Sequence, residues 1–141
     1  MLSYQAILED LASSVERLDP AKYRMHSSDA WHRMRVQDPD ADGEHLGFVI
    51  YLGRSRLQGP NQLIHEDCWI EYLHRDAADN IFAHQGQQLD SGLDIVQLLT
   101  TWGIPGASCR TRPEGMISLD ADGEFVKIRV PFQLHITNWR A

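Results

Sequence analysis

The alternation of apolar and polar residues is clearest near the end of the chain. From Val126 to Thr137 every second residue is apolar, and Lys, Arg, Pro, Gln, His and Thr fill the gaps. Because successive side chains of a β-strand point to opposite faces, this pattern predicts one long strand over Phe125 to Trp139, with a dry and a wet face. Pro131 lies inside it, and a proline there indicates an edge or a bulge, so we expect part of this strand at the rim of its sheet.

Two segments show helical spacing of their apolar residues. Ser3 to Leu18 has apolar residues three and four positions apart, and Asp19-Pro20 ends this amphipathic helix because proline cannot continue the hydrogen-bonded ladder. A second helix is predicted from Leu89 to Trp102, with Ser91 and the acidic residue three positions later resembling an N-terminal cap. The polar stretch before it, Arg75 to Gln88, is predicted to be a loop or a weak helical turn.

The remaining apolar runs predict strands. Leu46 to Leu52 is short and apolar enough to be buried on both sides, and with Leu63 to His74 it forms an antiparallel hairpin whose projecting turn has Arg54 and Arg56 at its base. Further strand-like or turn-like segments are the pair of short strands within Lys22 to Val36, the loop from residue 37 to 44, the interrupted strand Ser108 to Leu119, and the turn Asp120 to Glu124. Strands in runs, flanked by two helices, predict an α+β fold: a mostly antiparallel sheet with both helices on one face.

Length and composition place the whole chain, residues 1–141, in one domain of a soluble class. With 43% hydrophobic and 23% charged residues the composition is that of a globular protein, and no apolar run approaches the ~20 residues that span a bilayer. The first residues lack the features of a secretory signal, so a cytoplasmic place of synthesis and use is expected. The net charge of −7 argues against a groove that grips nucleic acid phosphates through the field of the whole protein.

Motifs that carry chemistry are weak. The pentapeptide DADGE occurs at Asp40 to Glu44 and Asp120 to Glu124, but a calcium loop fails in both copies because no glutamate stands at the closing position, so hairpin turns are favoured. His65 and Cys68 are an odd number of residues apart, which predicts opposite faces of a strand and no shared metal ion. No sequence motif of a nucleophile, zinc protease or phosphate loop occurs. We therefore expect no enzyme activity, no cofactor and no metal.

The order of these elements resembles the tail terminator, or tail completion, proteins of long-tailed bacteriophages. The resemblance covers the N-terminal helix, the strand FVIYL, the projecting turn after it, the strand CWIEYLH, the second helix and the closing strands that end in FVKIRVPFQLHITNW. It implies a homo-oligomeric ring, typically of six subunits, that caps the tail tube and offers a surface for head attachment. The implied partners are the tail tube protein and the head-completion or connector proteins, with genomic DNA passing through the lumen without specific binding, in a virion assembled in the host cytoplasm.

The residues expected to contact a neighbouring subunit or the tube come from the projecting turn and the final strand: Arg54, Arg56, Leu57, Pro131, His135 and Trp139. Three alternatives stay open. One is another neck protein of the same particle. Another is a small metal-assisted enzyme or ligand-binding domain that uses His65, Cys68, His74 or the DADGE carboxylates. The third is an adaptor that caps the sheet edge of another protein.

Overall fold

A computed structural model describes residues 3–20, 23, 45–75, 81–104, 109–122 and 125–137 of the chain. Its elements in chain order are α1 (Tyr4–Leu18), β1 (His45–Tyr51), β2 (Ser55–Leu57), β3 (Gln62–Arg75), α2 (Ile81–Thr101), β4 (Gly103–Ile104), β5 (Cys109–Pro113), β6 (Ser118–Asp122) and β7 (Phe125–Thr137). The two helices and the antiparallel sheet confirm the predicted α+β class. Neither described helix combines the length and apolarity that a bilayer crossing requires.

The sheet is built around two long central strands, β3 and β7. They pair antiparallel with each other, and the order across the sheet is β1-β3-β7-β5-β4, with β2 also on β3 and β6 also on β7. The outer side of β3 is thus shared by β1 and β2, and that of β7 by β5 and β6. The predicted hairpin is confirmed, although Ser55–Leu57 of its turn region forms the additional strand β2.

Both helices cover the same face of this sheet. The alternate residues Ile128, Val130, Phe132, Leu134 and Ile136 of β7 are buried there. They share one core with side chains of α1 and α2, and with the corresponding residues of β3. The opposite face of the sheet, which we call the open face, carries the alternating polar residues of β7. The predicted dry and wet faces of this strand are therefore confirmed.

Helix α1 forms as its sequence predicts. Ser3 caps it, because its hydroxyl oxygen accepts a hydrogen bond of 3.2 Å from the backbone N–H of Ala6. Ile7, Leu11 and Val15 are buried against the sheet, each contributing about 1.5–3 kcal/mol from the area removed from water. The helix ends at Leu18.

Helix α2 begins earlier than predicted. It starts at Ile81, so of the two alternatives predicted for Arg75 to Gln88 the loop is wrong from Ile81 onward, the weak helical turn is part of a long helix, and Ser91 is an interior residue rather than a cap. Ser91 is buried, and its carbonyl oxygen accepts a hydrogen bond of 3.4 Å from the Tyr23 hydroxyl. The first two turns contain alanine and several glutamines, which favour helix even where no apolar stripe marks it.

The prediction that Pro131 places β7 at the rim is wrong, because β7 has neighbours on both sides. Pro113 of β5 pairs with Phe132 and Ser118 of β6 pairs with Arg129, so Pro131 lies at the gap between β5 and β6. Its carbonyl oxygen accepts a hydrogen bond of 3.1 Å from the N–H of Glu114. Since the N–H and C=O of one strand residue point to the same neighbour, the missing N–H of the proline falls at this gap and costs no ladder bond.

Of the remaining predictions, some are confirmed, some are wrong, and some concern residues that the structure does not describe. Ser108 to Leu119 is interrupted as predicted, since β5 and β6 are separate strands. The turn prediction for Asp120 to Glu124 is wrong for its first three residues, which belong to β6 and pair with β7, and its last two residues lie outside the described residues. The strands predicted within Lys22 to Val36, the loop from 37 to 44 with the first DADGE copy, and Trp139 lie outside the described residues, apart from buried Tyr23.

Candidate interaction surface

A row of side chains crosses the open face at one end of the sheet. The register pairs Arg56 with Ile64, Ile64 with His135, and His135 with Arg110, so these four residues lie side by side on β2, β3, β7 and β5. Arg112 follows two positions later on β5, opposite Gln133. Directly opposed residues point to the same face of a sheet, and the row therefore gathers three arginines and a histidine. We call this set the basic row.

The arginines of this end differ in their ion pairing. Arg56 donates two hydrogen bonds, of 2.8 and 3.1 Å, to one carboxylate oxygen of Glu66. Arg54 pairs with Asp67 at 2.9 Å, but both side chains are exposed and the pair contributes little to stability. Arg110 and Arg112 are exposed and form no ion pair with a described residue. Within a chain of net charge −7, they are a local cationic surface.

The surroundings of His135 in the basic row lower its pKa. Partial burial lowers its pKa, and the positive charges of Arg110 and Arg112 lower it further, with a smaller effect from Arg56. Its Nε2 lies 3.0 Å from the side-chain oxygen of Gln133. Gln133 in turn donates a hydrogen bond of 3.1 Å to Glu114. Because the Gln133 oxygen only accepts, the Nε2 of His135 carries the proton.

A groove adjoins the basic row. It has a volume of about 650 Å³, and five of its lining residues are apolar; we call these five the apolar floor: Leu63, Ile64, Ile104, Cys109 and Ile136. We call its polar and basic lining residues the rim: Gln58, Gln62, Thr101, Arg110, His135 and Thr137. Leu57 is the neighbour of Leu63 across the strand pair and is 57% exposed. We call this feature the end groove; together with the basic row it offers apolar area beside positive charge.

The predicted contact residues divide accordingly. Arg56, Leu57 and His135 all lie at this end of the sheet, with Leu57 on the face opposite the basic row, and Arg54 is paired with Asp67 in the bulge of β3. Pro131 is half-buried in the middle of β7, opposite Trp69 and away from the groove lining, and Trp139 lies outside the described residues.

Sequence reasoning missed Arg110 and Arg112. The alternation Cys-Arg-Thr-Arg in β5, with buried residues at the first and third positions, was the signal that could have exposed them. Their place beside His135 follows from strand order and register, which that alternation does not encode.

The prediction that His65 and Cys68 face opposite sides is wrong. A bulge at Glu66 and Asp67 shifts the register of β3, with Asp67 at a φ of 57°, and both residues become buried. Nδ1 of His65 donates to the carbonyl oxygen of Gly53 at 3.2 Å, while the N–H of Gly53 donates to the Cys68 sulfur at 3.3 Å. The extra residue of the bulge cancels the odd separation.

Hydrogen bonds fix the side chains of His65 and Cys68 in place. Because Nδ1 of His65 donates to a carbonyl, its Nε2 accepts the hydrogen bond of 2.8 Å from the Tyr4 hydroxyl. Burial raises the pKa of the Cys68 thiol, which keeps it protonated. Among the residues that the structure describes, no three His, Cys, Asp or Glu side chains stand close enough to hold a metal ion together. The side chain of His74 lies outside this description.

A second cluster occupies the middle of the open face. The Arg129 guanidinium stacks 4.5 Å from the ring centre of Trp69 and lies 3.2 Å from the carboxylate of buried Glu71. The ring of Tyr51 packs against Trp69 with centres 5.0 Å apart. The indole N–H of Trp69 is buried and has no hydrogen-bond partner among the described residues. The register, which pairs Trp69 with Tyr51 and Pro131, places Trp69 on the open face with Arg129.

No known protein-family model matches the chain. Two curated fungal proteins resemble part of it. "Enoyl-CoA hydratase AKT3-2" of Alternaria alternata is 36% identical over 77 residues, which cover 51% of this chain and 25% of that protein. "Enoyl-CoA hydratase ACTT3" of the same fungus is 35% identical over the same lengths. The chain thus spans about a quarter of the curated relatives it matches.

Proposed function

We propose that this protein is a structural subunit of a phage tail, a tail terminator that forms a homo-oligomeric ring. The ring closes the tail tube and presents a surface to head-completion or connector proteins. Genomic DNA passes through its lumen without specific binding, and the assembled protein belongs to the tail or neck of the virion.

The observation that carries this proposal is the concentration of contact chemistry at one end of the sheet. The end groove has an apolar floor, Leu57 beside it is 57% exposed, and Arg110 and Arg112 have no ion-pair partner among described residues. Apolar area next to arginine is typical of protein interfaces. The rest of the chain supplies an excess of carboxylates, so other copies of the same protein are suitable partners.

The test is assembly with and without tail tubes. The mass of the purified protein is measured in solution, and particles are imaged by negative-stain electron microscopy, first alone and then after mixing with terminator-free tubes. We expect rings, or rings on tube ends. A protein that stays monomeric at high concentration and does not add to tubes refutes the proposal.

A neighbouring role in the same particle is distinguished by the same mixture. A neck or head-completion protein would bind the portal side and leave bare tube ends unoccupied. Binding to purified connector complexes but not to tubes would therefore move the subunit to the head side of the neck.

A second candidate is an acyl-CoA-binding enzyme, and it is favoured by the names of the two partial relatives. The end groove offers an apolar floor for an acyl chain, and Arg110 on its rim, with Arg112 further along β5, offers positive charge for phosphates. Calorimetric titration with crotonyl-CoA and with free CoA, followed by measurement of the enoyl absorbance, tests it. Binding that Arg110→Gln weakens, together with loss of the enoyl absorbance, favours this candidate; no heat and no loss of absorbance refute it.

A further inference from the structure

The outer surface of α2 carries two adjacent stripes. Leu89 and Leu93 are 45% and 57% exposed, and Asp90 and Asp94 are exposed beside them. The members of each pair are four residues apart, so they lie one turn apart on the same side of the helix. The helix Ile81–Thr101 contains no lysine or arginine that could neutralise these carboxylates. We call this set the α2 patch.

The α2 patch and the end groove are complementary in chemistry. One presents two projecting leucines beside two carboxylates, and the other presents an apolar floor with Arg110 on its rim and Arg112 two positions further along β5. We propose that the α2 patch of one copy docks into the end groove of the next copy. This inference rests on the proposed homo-oligomer and deepens it, because it names the two surfaces that meet.

The geometry favours a second copy that docks head-to-tail. An amphipathic helix laid in an apolar groove, with anchors one turn apart, is a recurring recognition mode. The patch is on the middle of α2, whereas the groove is lined by Thr101 at the end of the same helix. About ten residues of helix separate them by roughly 15 Å. Two different surfaces that bind each other give a heterologous contact, which closes into a ring or continues as a filament.

Nucleic acid is the less suitable occupant of the basic row. Phosphates would be attracted to Arg110 and Arg112, but the net charge of −7 repels a polyanion from the molecule as a whole. The exposed leucine of β2 and the apolar floor also have no counterpart on a phosphate backbone. The α2 patch matches both parts of this surface, because its carboxylates can pair with the arginines and its leucines can pack on the apolar floor.

Cross-linking between two cysteine variants tests this contact directly. One chain carries Gln97→Cys, at an exposed position one turn after Leu93, and the other carries Gln62→Cys, at an exposed position on the groove rim. The native thiols of Cys68 and Cys109 are 0% and 3% exposed, so they should react slowly with a short bis-maleimide. We expect a mixed dimer from these two chains. The control replaces Gln97→Cys by Ser13→Cys, at an exposed position of α1, and should give at least tenfold less product.

Charge exchange provides a second measurement on the same contact. Asp94→Arg and Arg110→Asp, each added to both cross-linking chains, are expected to lower the yield at least fivefold. The two changes together restore it, because every contact between copies then pairs the exchanged charges. A double variant that stays as poor as either single variant overturns the proposed pairing of the α2 patch with the basic row.

The outcomes separate this inference from the proposed function. Assembly without the mixed dimer overturns the docking arrangement and leaves the ring intact. A mixed dimer from a protein that never adds to tail tubes supports the docking and refutes the role in the tail. A third outcome is that no mixed dimer forms, a fluorescent DNA duplex binds the wild type, and the double variant Arg110→Gln, Arg112→Gln fails to bind it. In that case the basic row binds nucleic acid and the inference is wrong.

Discussion

Gly53 is the position at which one added methyl group should disturb the fold most. The residue follows β1 and lies against the bulge of β3. The Cβ of an alanine would overlap the carbonyl oxygen of Glu66 and stand 2.6 Å from both the carbonyl carbon and oxygen of Asp67. These are backbone atoms, so no side-chain rotation can relieve the contact.

The expected cost follows from the contacts on the two sides of Gly53. Forcing extra volume into a packed position costs about 1–3 kcal/mol. Movement of the bulge would also break the hydrogen bonds that Gly53 makes with His65 and Cys68, and the bond of 2.8 Å from the Glu66 N–H to the Arg54 carbonyl oxygen. At about 0.5–1.5 kcal/mol for each bond, Gly53→Ala should lower the free energy of unfolding by about 3–5 kcal/mol.

Two other glycines provide matched controls for the same change. A methyl group at Gly92 would lie 3.1–3.2 Å from side-chain carbons of Ile117, which can shift, so Gly92→Ala should cost about 1 kcal/mol or less. At Gly86, inside α2, nothing lies within 4 Å of the added atom. Gly86→Ala should therefore stabilise the protein by about 0.5–1 kcal/mol, through helix propensity.

Urea unfolding followed by tryptophan fluorescence measures this series. The midpoints should fall in the order Gly86→Ala, wild type, Gly92→Ala and Gly53→Ala, with similar slopes if unfolding stays two-state. A Gly53→Ala protein within about 1 kcal/mol of the wild type would refute the reasoning, since it would mean that the bulge moves freely. A loss of the same size at Gly86 would show that the method reports a general effect of the methyl group.

Three further predictions concern single side chains, each measured as the free energy of unfolding against the wild type. The folded-state pKa of His135 is lowered, so the unfolded chain binds the proton first and the free energy of unfolding falls as the pH drops below about 6.5. His135→Gln should therefore lose less stability than the wild type between about pH 7.5 and 5.5. An unchanged pH profile in this variant would contradict the prediction. Ser3→Ala should cost about 1 kcal/mol through the lost cap on Ala6, with Ser3→Asp as the neutral control. Arg129→Ala should cost about 1–3 kcal/mol because it removes the guanidinium from buried Glu71, and adding Glu71→Gln should recover part of that loss; strict additivity would contradict the coupling.

Local periodicity was sufficient for most of the fold. The alternation in β7, the apolar stripe of α1 and the apolar run of β1 each gave an element of the right type. Phe48 and Val49, adjacent in β1, are both buried, as predicted for a strand covered on both sides. These patterns are readable because each reflects one residue's distance from the core and does not depend on which strand is the neighbour.

The wrong predictions concern segments whose structure depends on residues that are distant in the sequence. Pro131 was taken as evidence for an edge, but a central strand tolerates proline where its partner on one side changes from β5 to β6. The faces of His65 and Cys68 were assigned by counting, and a single bulge reversed the count. The start of α2 was missed because its first turns are polar, so propensity alone marks them.

The candidate surface was predictable only in part, because its residues come from several strands. Arg56, Leu57 and His135 were chosen from a projecting turn and a long strand, and the register of β2, β3 and β7 brings them to one end of the sheet. Arg110 completes the row from β5, which no turn or strand pattern could link to His135. Contacts between residues close in sequence can be predicted from the sequence, whereas contacts across four strands require knowledge of strand order and register.

The position of β7 also decides how an interface at this end can form. As a central strand it cannot accept another strand, and among the described strands those that border the end groove, β2 and β4, are three and two residues long. Strand addition needs a longer row of free backbone groups than these provide. Contact at this end must therefore use side chains, namely the exposed Leu57, the apolar floor of the groove and the arginines of β5. A helix with projecting leucines and carboxylates satisfies that requirement, whereas an extended peptide does not.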